Sequence, residues 1–219
     1  MNPFLKLAAV ALVGTVAMAA PSSAITIPGV CGSLSGATEL VGSFNCTQFD
    51  SNLGPLLSIT LAITGELNGS ITLTNNSGAT ANISATTTSS FFAGPLPGFA
   101  LSNPVFSASY GTGFVAINTG QTIPFLNLFG AGGSGAMINN SNFAPYQAPG
   151  GGNFAINVST ISGLTVQGAS GNIVIDQITN AEVTASVVYE YGVATPEPAS
   201  MALLGAGMLA LGFARRRRG

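Results

Sequence analysis

The chain has 219 residues, of which 47% are hydrophobic and only 5% charged, with a formal net charge of −2. Its five cations are Lys6 and Arg215 to Arg218, and it has no histidine, so the stretch between Lys6 and Arg215 carries no basic side chain at all. That stretch cannot neutralise phosphates as nucleic-acid binding requires, cannot build a histidine-dependent triad, lacks the Lys/Arg clamps of phosphoryl transfer, and has too few ligands for a zinc site.

The N-terminus predicts a secretory signal peptide over residues 1–24. Lys6 precedes an apolar run from Leu7 to Ala20, and Ser22 and Ala24 place small residues at −3 and −1 of a cleavage after Ala24. This implies the Sec translocon and signal peptidase as partners. The exported stretch that follows, residues 25–194, then holds six carboxylates (Glu39, Asp50, Glu66, Asp176, Glu182 and Glu190) and no cation, a net charge of −6.

Cys31 and Cys46 are the only cysteines. In an exported chain they read as a disulfide, with about 3 kcal/mol of stabilisation on the chain-entropy account. A reactive thiol is the alternative, but it needs cationic neighbours to lower its pKa. Next, Asp50 and Asn52 lie in a turn-like segment. They could offer oxygens to calcium or cap their own turn.

From Leu57 onward the apolar residues alternate. Leu57, Ile59, Leu61 and Ile63 are interleaved with Ser58, Thr60, Ala62 and Thr64. Asn68-Gly69 follows, then Ile71 and Leu73, which together predict a β-hairpin through a type I′ turn. Further strands are expected near 81–87, 105–110, 113–118 and 121–128. Gly130 to Gly135 and Pro149 to Gly152 read as surface loops. Separate strands are expected at Phe154–Val158, Leu164–Val166, Ile173–Ile175 and Val183–Tyr191. Eight or nine short strands with Gly, Asn and Ser turns predict an all-β fold, an antiparallel β-sandwich, with a barrel or β-helix as the alternative.

The C-terminal segment, 195–219, differs in kind. Pro196-Glu197-Pro198 precedes an uncharged run from Ala199 to Ala214, closed by Arg215, Arg216, Arg217 and Arg218. Sixteen helical residues would span roughly 24 Å, and arginine stems reaching to the headgroups could extend that across a bilayer. A transmembrane helix is therefore expected over 199–214, beginning after the prolines. The arginines fix the orientation, tail end in the cytoplasm and the rest outside.

The order Pro-Glu-Pro, short Ala/Gly/Leu-rich span and terminal Arg cluster resembles a PEP-CTERM sorting signal. The resemblance implies recognition by an exosortase that removes the tail. It also implies transient anchoring in the inner membrane of a Gram-negative bacterium that makes exopolysaccharide, followed by release to the cell surface or extracellular matrix. A looser likeness covers the middle. Phe49 to Leu56, the Gly65…Gly69…Asn75 segment and the closing Ala185 to Tyr191 strand resemble choice-of-anchor E domains, secreted β-rich modules for which no activity or site residue is implied.

The expected role is structural or adhesive, in an exopolysaccharide or biofilm setting, with no catalytic residue and no cofactor. A carbohydrate-binding module, in one form assisted by calcium, is the alternative. A carboxylate-dependent hydrolase is a third reading. Glu182 and Glu190 share a strand face but lie about 26 Å apart along it, too far to act as a pair, although either could meet another acid such as Asp176. Among the tyrosines, Tyr189 and Tyr191 fall on the apolar strand face, while Tyr110 and above all Tyr146, in a Pro/Gly-rich loop, remain for sugar contact. Asn-x-Ser/Thr occurs at Asn45, Asn68, Asn75, Asn82, Asn139 and Asn157, as chance produces in a chain so rich in Asn, Ser and Thr.

Overall fold

The computed structural model describes residues 23–139, 142–168, 171–193 and 205–208. Among them the chain is nearly all β, with eleven strands where eight or nine were expected. They are β1 (Ser23–Gly29), β2 (Ser33–Ala37), β3 (Val41–Asp50), β4 (Leu56–Asn75), β5 (Ala81–Ala93), β6 (Phe106–Gly111), β7 (Val115–Ile117), β8 (Thr122–Asn139), β9 (Gln147–Ala148), β10 (Gly152–Gln167) and β11 (Ile173–Val193). Residues Ala24–Val193 cluster as one compact unit.

Two curled sheets share one hydrophobic core. The five-stranded sheet has the order β1-β11-β4-β8, with β2 also on β11. The six-stranded sheet has the order β6-β5-β10-β3-β9, with β7 also on β5. The registered pairs are antiparallel except for two residues of β9, which run parallel to β3. Ile59, Leu61, Ile63, Leu67, Ile71 and Leu73 of β4 and Val183, Val187 and Tyr189 of β11 meet Ile83, Phe91, Ile156 and Val158 of the other sheet. Each such side chain contributes about 1.5–3 kcal/mol by leaving water.

The expected hairpin at Asn68-Gly69 does not form. β4 is a single 20-residue strand that runs straight through both residues. Neither has the positive φ that a type I′ turn requires. Burial keeps one parity from Ile59 through Leu67 to Ile71, Leu73 and Asn75. Gly69 is needed for another reason: a Cβ there would sit 2.1 Å from the Tyr110 hydroxyl and 2.2 Å from the Ile178 carbonyl oxygen.

The loop expected at Gly130–Gly135 is likewise strand, the middle of β8. These glycines let β6 approach. A Cβ on Gly130 would fall 2.3 Å from the Ser109 carbonyl oxygen, and one on Gly132 would fall 2.9 Å from the Phe106 ring. Close contact between sheet edges, not a turn, selects glycine here. By contrast, Pro149 to Gly151 does form a turn, with Gly150 at φ 78° and Gly151 at φ 80°.

Two expected breaks between strands are absent. Phe154–Val158 and Leu164–Val166 are both parts of β10, and Ile173–Ile175 and Val183–Tyr191 are both parts of β11. Strands β1, β2 and β3 were not foreseen. They close the side opposite the β6–β8 approach. While β1 and β2 pair with β11 in one sheet, the residues between them cross to β3 in the other, with Thr47 N donating to Val30 O and Gly32 N donating to Asn45 O, each at 2.8 Å.

Residues 1–22 of the expected signal peptide, including any signal helix, and most of the helix expected over 199–214 lie outside the described residues. Residues 205–208 are helical. Among the described residues no helix is long and apolar enough to cross a membrane.

Candidate functional site

Of the expected sorting residues, Pro196, Glu197, Pro198 and Arg215 to Arg218 lie outside the described residues. Ala24, the expected cleavage position, is the second residue of β1. At the other end β11 is held to its finish: Gly192 N donates to Pro55 O at 2.9 Å, and only Ala194 and Thr195 separate Val193 from Pro196.

Cys31 and Cys46 are bonded, with sulfurs 2.00 Å apart and Cα atoms 4.0 Å apart. They form an isolated antiparallel bridge at the place where the chain passes from one sheet to the other. The bond therefore pins the two sheets together at that edge. Cys46 is fully buried.

Asp50 precedes a single 3-10 turn, Ser51–Leu53, and its Oδ1 accepts from Asn52 N at 2.9 Å. It also accepts from Gly150 N at 2.8 Å, across a hundred residues. Backbone donation from Asn52 first, then Gly150, holds the carboxyl below its ordinary range. The geometry is that of a clasp between two loops. Among the described residues no cluster of three or more His, Cys, Asp or Glu side chains could hold a metal.

Tyr146 is not a surface aromatic. It is 1% exposed, donates its hydroxyl to Pro97 O at 2.8 Å and packs edge-on against Phe99 and Phe154. Burial pushes its phenol up to about 12. A 3-10 turn, Ala144–Tyr146, swings the ring inward, which a loop composition rich in Pro and Gly does not reveal. Tyr189 is also buried and donates to Thr47 O at 2.6 Å. Tyr191 packs partly buried against the same core. Tyr110 lies in the core as well, 5% exposed, and its hydroxyl reaches β11. Asn75, one of the Asn-x-Ser/Thr positions, is fully buried, and its amide donates to Ala79 O and Ile117 O at 2.8 Å each.

The acids are dispersed except for one pair. Glu190 Oε2 accepts from Ser58 Oγ at 2.7 Å, and Asp176 stands opposite Thr72. Glu182 faces Glu66 directly across the β11–β4 ladder, which places their Cβ atoms about 4.5–5.5 Å apart. Both are exposed, on the outward face of the five-stranded sheet. Sequence reading missed this pair because it placed a turn between Ile63 and Ile71. Had the unbroken parity of β4 been followed, the antiparallel partner of Glu66 would have been open to deduction. The pair stands on an open strand surface.

Paired hydroxyls recur along the outward face. Thr64 and Thr184 bond to each other at 2.8 Å, and Thr74 bonds to Thr122 at 3.0 Å. Shallow depressions open beside Ser35 and Glu182 and beside Ser70 and Asn127, both bordered by Asn68 and Asn180.

Residues 194–218 match the PEP-CTERM protein-sorting motif. No curated protein sequence matches the chain. Among solved structures, the chain has partial likeness to that of the T13 infectious bursal disease virus particle, at 12% identity over 79% of this chain and 41% of that one, with a TM-score of 0.18. It therefore spans about four tenths of that chain's length. A mud crab tombus-like virus structure is 8% identical over 93% of this chain and 98% of its own, with a TM-score of 0.18. A CocE/NonD family hydrolase from Staphylococcus aureus is 12% identical over 78% of this chain and 33% of its own, with a TM-score of 0.17. Likenesses this slight carry no argument about fold or function.

Proposed function

We propose that this chain is an exported surface protein with a structural or adhesive, non-enzymatic role. On this reading signal peptidase releases the N-terminus after Ala24. The tail then holds the protein in the inner membrane of a Gram-negative cell, and an exosortase cuts near Pro196-Glu197-Pro198. The β-sandwich body, of choice-of-anchor E type, ends at the cell surface or in the polysaccharide matrix. The observation that carries the reading is the sorting motif at residues 194–218, which implies an exosortase as processing partner and display outside the cell after transient anchoring. The body's composition supports it, being free of cations and rich in hydroxyls and amides.

The test is the intact mass of the native protein in membrane, surface and medium fractions. A chain running from Ile25 to the neighbourhood of Pro196, found outside the cell, is the expected result. A chain that keeps Arg215 to Arg218 in the inner membrane would overturn processing and leave a plain membrane-anchored protein.

A further inference from the structure

Register arranges the outward side chains of the five-stranded sheet in rows. In one row Asn180 of β11, Asn68 of β4 and Phe129 of β8 are direct partners. In the next, Ile178 stands beside Ser70, and there the β4–β8 register shifts between Gly69 and Ile71. The shift is a bulge in β8. Leu126 and Asn127 are both exposed, and Asn127 takes φ 55°. A bulge of this kind re-aims a side chain that regular pleating would turn inward. Asparagine is among the few residues that tolerate the left-handed region. Asn127 thereby joins Asn68, Asn180 and Ser70 in lining one shallow groove.

The groove combines two kinds of surface. Asn68, Asn127 and Asn180 are exposed, and among the described residues their amides take part in no side-chain hydrogen bond. Each amide offers two donors and an acceptor. Around them Phe129 is 56% exposed and Leu126 and Ile178 are 66% exposed each. These are large apolar groups at the mid-length of a strand face that also exposes Val174, Val188 and Met137. Planar amides beside an exposed phenyl ring and two aliphatic side chains match a ligand with hydroxyls at its rim and C–H groups on its faces.

Charge narrows the occupant. The groove is bordered on the adjacent row by the Glu182–Glu66 pair, and no cation lies between Lys6 and Arg215. An anionic polymer meets only repulsion there. A second copy docked symmetrically on this face would bring its own Glu66 and Glu182 into the same interface, four carboxylates without a counter-charge. We propose that this groove binds a stretch of neutral, hydroxyl-rich polysaccharide laid across β11, β4 and β8, with the three asparagines donating to and accepting from its hydroxyls and Phe129, Leu126 and Ile178 contacting its ring faces. This deepens the adhesive role and rests on that reading only in supposing that the face meets extracellular glycans. Binding to soluble polymer does not depend on how the tail is processed, so either claim can fail alone.

The experiment is affinity electrophoresis of the purified full chain in non-denaturing gels. The gels contain a neutral glucan, mannan or galactan, or else alginate as an anionic polymer. At least one neutral polymer retards the protein and alginate does not. Asn68→Ala and Asn180→Ala each weaken retardation about 3–10-fold, as loss of one hydrogen-bonding group to ligand does. Asn127→Gly does the same while keeping the backbone conformation available. Asn157→Ala, exposed on the other sheet, leaves retardation unchanged. The proposal is overturned if no neutral polymer retards the chain, if the three groove variants bind like the parent, or if alginate is the better ligand. It is also overturned if sedimentation shows a dimer that Phe129→Glu disperses, which would give the groove to a second copy.

Discussion

The Tyr110 hydroxyl lies 2.6 Å from Thr179 Oγ1 and donates to the Ile178 carbonyl at 3.2 Å, tying β6 of one sheet to β11 of the other through the core. Gln177 Nε2 donates in turn to Thr179 Oγ1 at 2.8 Å, so a three-membered relay ends on a backbone acceptor. Tyr110→Phe keeps the ring and removes the bridge. It is expected to lower unfolding free energy by about 1–2 kcal/mol in urea titration, because a buried partner loses its bond. A variant as stable as the parent would show that the relay adds nothing to sheet–sheet contact.

Glycines on the closely approached faces are expected to resist even one methyl group. Gly130→Ala drives a Cβ onto the Ser109 backbone and Gly69→Ala drives one onto the Tyr110 hydroxyl. Each is expected to cost about 1–3 kcal/mol, as overpacking does. Gly78→Ala meets nothing within 4 Å and is expected to be neutral. Thermal melting of the three variants side by side reads the contrast.

Reducing the Cys31–Cys46 bond, or replacing both residues with alanine, is expected to lose about 3 kcal/mol on the entropic account of a loop 15 residues long. Urea titrations with and without reductant measure it. No change in midpoint would mean that the hydrogen bonds at Val30 and Gly32 already close that edge.

Thr87 is fully buried, and among the described residues its Oγ1 is the buried side-chain atom with no hydrogen-bond partner. Thr87→Val removes an unsatisfied hydroxyl at nearly constant shape. It is expected to raise stability by about 1 kcal/mol. A loss of stability instead would reveal a bridging water.

Stability is expected to bend at both ends of the pH scale. The Asp50 carboxyl is held below its ordinary value by backbone donors. Its contribution is therefore present above the unfolded pKa and lost as pH falls through the folded one, and Asp50→Asn flattens that acid limb. Burial pushes Tyr146 from 10.0 to about 12, and Tyr189 upward likewise. Their contribution is complete below pH 10 and fades as pH rises toward 12. Tyr146→Phe shrinks the alkaline limb of a melting-temperature profile. Unchanged limbs in both variants would refute the assignments.

The β character and the alternation of β4 and β11 were legible in the residues themselves. The boundaries were not, because Asn-Gly and glycine runs carry two meanings. At Gly69 and Gly130 the local pattern is that of a turn, while the cause of the glycine is a neighbour distant in sequence, Tyr110 or Ser109. The same non-local logic hid Tyr146, whose exposure is decided by Phe99 and Phe154. It hid the amide groove too, since Asn68, Asn127 and Asn180 meet only through strand register. The Pro-Glu-Pro tail, by contrast, is read as linear sequence and needs no fold to be recognised.

The strand that leads to the tail is an interior one. β11 is hydrogen-bonded on both sides, with β4 in register from Ile173 to Glu190 on one side and β1 and β2 on the other. A pull applied at Val193, as flow would apply to a tethered molecule, acts along this strand. It loads the parallel rungs of both ladders together in shear instead of peeling them one at a time. Detachment of β11 would then require many rungs to yield at once.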